Sequence, residues 1–276
     1  MIGLRNITRI AAGNDFLLAL NDAAEVQRLG VFTYDADVGE IDWFHTHPWN
    51  ELWPHNRPHS TRPRIVSIHA TPMSAFGIDR KGILWSWGDH RSNKLGHAEN
   101  RESRFPQKVR GLTDFKVKTV VGSPRLTLVV TVDGAAYIWG SLEDAFPQAA
   151  KWDLPAGIET EENEAERRTI ITKPVRLPFG NVTGAAVGDE HMVIVVDEHK
   201  VYSWGSNRAG QCGLGWSRSS LSVPYEMRIK NLEPREVKWV AAAGTWTFFG
   251  VPVEGAGRGI TNSILPNRSK DEMEVA

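Results

Sequence analysis

The chain of 276 residues has a single cysteine, Cys212, so it has no internal disulfide framework, a usage that suits a reducing compartment. No apolar run approaches the roughly 20 residues that cross a bilayer as a helix. Met1 to Gly13 carries Arg5 and Arg9 without the apolar core of a signal peptide. Nor is there an excess of one charge. Thirty-two basic against 33 acidic residues give a net charge of −1, which removes the global field that would draw the chain to nucleic acid or an anionic membrane. A local basic patch is still compatible with that balance. No nucleophile elbow, phosphate-binding glycine loop, dinucleotide-binding glycine pattern or CxxC pair occurs. No cofactor is therefore expected, and the chain is expected in the cytoplasm or nucleus, away from membranes. What the composition does supply is 11 Trp, 25 Gly and 15 Pro: many turns and little long helix.

The order of residues repeats. In the clearest unit, Val182 to Gly188 is a small-residue segment ending in Gly and Met192 to Val196 is a solid apolar run. A polar turn, Asp197-Glu198-His199-Lys200, leads to Val201-Tyr202-Ser203-Trp204-Gly205 and a glycine-rich loop that ends at Gly215. The same order runs from Val117 through Asp133-Gly134 to Trp139-Gly140, and from Ile65 through Lys81-Gly82 to Trp87-Gly88. Ile7 to Gly30 is a weaker copy, with Leu29 in place of the Trp, and Val237 to Val251 is a partial one. The first anchor falls at Gly13, Thr71, Gly122, Gly188 and Gly244, at spacings of 58, 51, 66 and 56. The glycine after the third segment falls at Gly30, Gly88, Gly140 and Gly205, at spacings of 58, 52 and 65. Two independent anchors drift together, which chance does not explain.

Each unit predicts three short strands joined by hairpin-type turns such as Asp133-Gly134. The middle strands are continuously apolar, so both of their faces must be covered. Radially stacked sheets achieve this, since each is sandwiched between two neighbours. Ala11-Ala12-Gly13 and Ala241-Ala242-Ala243-Gly244 are small where strands crowd toward an axis. Trp87, Trp139 and Trp204 are bulky enough to fill the space between sheets. The expected fold is an all-β propeller.

The small-small-Gly segment, apolar run, turn, Val-Tyr-Ser-Trp-Gly and Gly-Gln-Cys-Gly-Leu-Gly resemble the regulator of chromosome condensation repeat. The match is close at 182–215, good at 65–97, fair at 117–141 and weaker at 7–30 and 237–251. Cys212 stands where the family usually has Leu and reads as a small hydrophobe. His191 stands where the family commonly has His; packing or a strand-end hydrogen bond is the expected role there, and His69 also lies near a unit start. Family rings usually have seven blades, and this chain offers five recognisable units. A closed five-blade ring and an incomplete or degenerate seven-blade array both remain open.

Residues 1–254 thus read as one repeat domain with two insertions, 31–64 and 155–178, followed by a polar tail at 255–276 that is expected to be disordered. The second insertion holds Glu159, Glu161, Glu162, Glu164 and Glu166 and reads as a solvated loop or short helix. The first holds Trp43, Trp49 and Trp53 beside Arg57 and Arg62. Aromatic and Arg residues provide large contact area at low entropic cost, so these five are the candidate partner-binding residues. The same insertion carries His45-Thr46-His47-Pro48, which is similar to the paired histidines of JAMM-type metalloproteases. His55 and Pro58 stand where that family needs Ser and Asp; a nonenzymatic zinc site using His45, His47, His55 or His59 is the other metal reading, and no metal or catalytic residue is assigned. A rim-packed loop is the plain alternative for this segment.

The resemblance implies a non-enzymatic scaffold that binds other proteins, such as an adaptor in ubiquitin-ligase, chromatin or other regulatory assemblies. The alternative it implies is a guanine nucleotide exchange factor for a Ran-type small GTPase, for which no displacing wedge is recognisable.

Overall fold

A computed structural model describes residues 6–30, 46–48, 63–90, 93–97, 103–141, 160–163, 168–215, 219–227, 236–252 and 260–264. Every regular element among them is a β-strand apart from a single 3-10 turn at Arg110–Leu112. The strands form five antiparallel sheets, four of them simple meanders. The first is β1 (Ile7–Ala12), β2 (Phe16–Asn21), β3 (Val26–Gly30) and β4 (Thr46–Pro48); the second is β5 (Ile65–Ala70), β6 (Ser74–Asp79), β7 (Leu84–Gly88) and β8 (Ser103–Lys108). The third runs β9 (Val117–Gly122), β10 (Leu126–Thr131) and β11 (Ala136–Ser141), then pairs β13 (Arg168–Arg176) and, beyond it, β12 (Thr160–Asn163). The fourth is β14 (Val182–Val187), β15 (His191–Val196), β16 (Lys200–Ser206) and β17 (Ser220–Glu226), and the fifth is β18 (Trp239–Ala243), β19 (Trp246–Pro252) and β20 (Ile260–Ile264).

Two compact units divide these sheets. The first unit, residues 1–142 and 155–178, holds the first three sheets; the second, residues 143–154 and 179–276, holds the other two. Within the first unit the inner strands β1, β5 and β9 follow one another as neighbours. Within the second, β14 lies beside β18. The middle strands β6, β10 and β15 are buried along their full length, including the polar Ser74, Asp79, Thr127, Thr131 and His191 that interrupt their apolar runs. Phe16, Leu18 and Leu20 of the first sheet meet Ile65, Ile68 and Trp87 of the second in one cluster. Val193, Val195 and Val201 of the fourth sheet meet Phe249 and Val251 of the fifth in another. These are propeller blades, each built from one sequence unit.

The structure corrects the reading in four places. The first four blades have an outer strand beyond the expected three, and the two insertions supply it twice: β4 lies within 31–64, and β12 and β13 lie within 155–178. The acidic stretch is neither loop nor helix at 160–163. It is a strand because its partner β13 carries Thr169-Ile170-Ile171 opposite it, and Ile171 is fully buried. The tail is likewise paired at 260–264, where β20 satisfies the outer edge of β19. Finally, two anchors are shifted by one residue. Gly13, Thr71 and Gly188 each donate the backbone bond that closes the first turn, and at the third blade Ser123 does this rather than Gly122. In the fifth blade the register pairs Ala243 with Trp246 across a two-residue turn of the same length, so Ala243 rather than Gly244 stands there.

Candidate functional site

The places where repeat residues from different strands converge are the junctions between blades. Each begins at the Trp-Gly pair. Gly88, Gly140 and Gly205 have φ of +108°, +110° and +110°, and the ladder to the outer strand slips at each of them. A Cβ on Gly140 would collide with the carbonyl oxygen of Arg125, so only glycine fits this bulge. Trp87, Trp139 and Trp204 precede it, opposite Ala75, Thr127 and Met192 on the middle strands, and all three are fully buried.

The loop after Trp-Gly is folded back by hydroxyl hooks. Ser86 Oγ donates to the Leu95 carbonyl at 2.7 Å, and Ser203 Oγ donates to the Cys212 carbonyl at 2.8 Å. The neighbouring carbonyls then reach the following blade. Lys94 O accepts from Thr127 Oγ1 at 2.7 Å and from Trp139 Nε1 at 2.8 Å, and Gln211 O accepts from Thr247 Oγ1 at 2.9 Å. Thr127 and Thr247 occupy the same second position of their middle strands, β10 and β19, and Lys94 and Gln211 stand six residues after Gly88 and Gly205. Burying a hydroxyl without a partner is costly, so these pairs fix which blade follows which loop.

A second link joins the first turns. Asn14 N–H donates to the Pro72 carbonyl at 2.8 Å, and Asp189 N–H donates to the Gly244 carbonyl at 3.2 Å. Pro72 has no N–H to continue the series toward the third blade. There Lys94 Nζ reaches the Pro124 carbonyl instead, at 2.9 Å, and a buried ion pair with Asp89 at 2.9 Å holds its charge. Lys94 and Asp89 are almost wholly buried, a placement that needs this pairing.

His191 is fully buried with Nε2 2.8 Å from Thr247 Oγ1. The Thr247 hydroxyl proton goes to Gln211 O, which assigns the donor role in the His191 contact to Nε2–H. Burial pushes the His191 pKa down to about 4. His69 is also lowered to about 4, by burial and then by Arg9; its Nε2 lies 3.1 Å from Ser67 Oγ. Burial pushes the Cys212 thiol up to about 12, which leaves it protonated and unreactive.

Trp43, Trp49, Trp53, Arg57 and Arg62 lie outside the described residues, as do His45, His55 and His59. The backbone of His47 pairs with Arg28 in β4. Among the described residues no group of three or more His, Cys, Asp or Glu side chains is placed to hold a metal ion, and no helix is long and apolar enough to cross a membrane. The sequence reading passed over Lys94, Asp89, Thr127 and Thr247. Their signal was present as two threonines at one offset inside apolar strands, and as Lys94 aligned with Gln211.

One family model of the regulator of chromosome condensation (RCC1) repeat matches residues 81–130 and 198–249, and a second matches 182–211. These stretches of the chain are RCC1 repeats. Protein pim1 of Schizosaccharomyces pombe is 27% identical over 195 residues, covering 68% of this chain and 36% of pim1. E3 ubiquitin-protein ligase HERC2 of Homo sapiens is 26% identical over 271 residues, 98% of this chain but 5% of the ligase. Among solved structures, Prp20p from Saccharomyces cerevisiae superposes with a TM-score of 0.74 at 18% identity, over 91% of this chain and 57% of Prp20p. The chain thus spans little more than half of that solved relative, and a smaller share of these curated ones. The likeness establishes the fold as that of RCC1-type propeller blades, and the bulges and hydroxyl hooks described above are what the RCC1 repeat encodes here.

Proposed function

We propose that the chain is a non-enzymatic scaffold that binds other proteins within a regulatory assembly, such as a ubiquitin-ligase or chromatin complex. The observation that carries this reading is the use made of the buried polar side chains. Lys94 is engaged with Asp89 and Pro124, Thr247 with His191 and Gln211, and Ser86 and Ser203 with their own loops. That chemistry joins the second blade to the third and the fourth to the fifth, so within each unit it is spent on holding the frame, and recognition on such a frame falls to its loops. The relatives agree in kind. HERC2 is named a ubiquitin-protein ligase and matches this chain over one twentieth of its length, and Prp20p has been studied for its binding to Gsp1p and histones.

The 31–64 segment is the proposed partner-binding element, through Trp49 and Trp53 with Trp43, Arg57 and Arg62. Pro48, Pro54 and Pro58 restrict it and so lower the ordering cost on binding. Replacing Trp49 and Trp53 with Ala in the full chain is expected to abolish recovery of its partners in affinity purification while leaving the melting temperature nearly unchanged. A large fall in melting temperature would instead place the tryptophans in a core. Unchanged recovery with unchanged stability would move the site elsewhere.

The Prp20p likeness favours a second reading, in which the partner is a Ran-type small GTPase and the chain accelerates its nucleotide exchange. Stoichiometric binding without accelerated release belongs to the scaffold reading, and catalytic release belongs to the second.

A further inference from the structure

We infer that the ends of the second and third blades form a docking surface for an acidic segment of a partner protein. The β6–β7 turn presents Arg80 and Lys81, and the residues that enter β5 and β9 are Arg64 and Lys116; all four are exposed. Backbone contacts bring them together. Arg80 N–H donates to the Arg64 carbonyl at 3.0 Å, Val117 N–H donates to the Gly82 carbonyl at 2.9 Å, and Val132 N–H donates to the Lys116 carbonyl at 2.7 Å. Gly82 has φ of +83°, and a Cβ there would lie 2.9 Å from Lys116 Cβ. This close approach pins the second blade's turn against the third blade. Four cations from three chain segments therefore share one rigid end of the two blades.

The nearest acidic residue of the turn does not cancel them. Asp79 is buried, and its carboxylate accepts from Lys81 N–H at 2.8 Å, Ile83 N–H at 3.0 Å and Trp85 Nε1–H at 3.0 Å. It points into the turn and serves as its internal brace.

Two further observations choose a protein over a nucleic acid. Val66 follows Arg64 by two residues and Val132 is bonded through its N–H to the Lys116 carbonyl; they are 42% and 65% exposed, and apolar side chains suit a peptide that alternates acidic and apolar residues. Asp114 and Asp133 are exposed beside Lys116 and Val132, where they oppose a continuous phosphate backbone but can be bypassed by separate carboxylates. A short acidic peptide with interspersed leucines is the chemistry that fits. This inference does not rest on the 31–64 segment.

The test uses the full chain and a fluorescein-labelled 12-residue peptide of alternating Glu and Leu, read by fluorescence polarisation. Binding is expected at low ionic strength and should weaken steeply as salt is raised, because exposed charge pairs are screened. Reversing three cations together (Arg80→Glu, Lys81→Glu and Lys116→Glu) is expected to weaken it at least tenfold. The neutral set Arg80→Gln, Lys81→Gln and Lys116→Gln should lose about fivefold, and provides the reading if reversal perturbs the fold. Val66→Ser with Val132→Ser should lose about threefold with the salt dependence intact, while the Trp49 and Trp53 double variant should bind the peptide as the parent does. Peptide binding unchanged in both charge sets would overturn the proposal. So would tighter binding of a 12-base-pair DNA duplex than of the peptide, which would make the surface a nucleic-acid site.

Discussion

Trp204→Ala is expected to lower the stability of the folded chain by about 3–5 kcal/mol, the range for truncating a buried large aromatic. The side chain has no solvent exposure. It stacks on Phe179 with ring centroids 6.1 Å apart and lies opposite Met192 on the middle strand. Its place is fixed by the Gly205 bulge, so the backbone has little freedom to collapse into the void. Denaturant unfolding followed by circular dichroism measures the loss. Trp204→Phe, which keeps part of the volume, should cost less than Trp204→Ala. A loss below about 0.5 kcal/mol for Trp204→Ala, the scale of ordinary surface substitutions, would mean that Trp-Gly pairs do not anchor the blades.

Acidification is expected to destabilise the chain between pH 6.5 and pH 4, largely through His191 and His69. Both have folded-state pKa values near 4, below the ordinary 6.5. As the pH falls the unfolded chain takes up these protons first, so stability is fully present above pH 6.5 and is lost on the way down to about 4. Each group contributes a loss of about 2 kcal/mol by pH 5. The cause at His191 is structural: a proton would have to enter a buried junction where Nε2–H already serves Thr247. His191→Gln does not titrate in this range and should reduce the acid-induced loss by about half. An unaltered stability profile from pH 6.5 to 4.5 in that variant would show that the junction does not exclude the proton.

Blade architecture was legible in the sequence because it is repeated. Periodic apolar runs and the drifting Trp-Gly anchor reported three strands per unit without any long-range information. The outer strands were not legible. β4 and β8 lie in polar, proline-containing segments, and β13 gave up its Thr-Ile-Ile signal to the acidic stretch beside it. Local composition there is opposed by pairing to an exposed edge, and pairing wins. The displaced anchors have a similar origin. Gly122 looks like the turn residue because it is the only glycine nearby, but Ser123 closes the turn with its backbone N–H, which every residue except proline can donate. At the junctions the Ser86 and Ser203 hooks fall within the recognised repeat, whereas Lys94 was hidden because its role arises from the missing N–H of Pro72 on another turn. That dependence joins residues more than 20 positions apart and has no local pattern.

The scaffold reading is tested most directly by nucleotide release from a Ran-type GTPase carrying a fluorescent guanine nucleotide, followed by stopped flow with the full chain. The account predicts release at the intrinsic rate at every ratio of chain to GTPase, whether or not the two form a complex. Accelerated release at substoichiometric amounts of the chain would contradict it and make the protein an exchange factor.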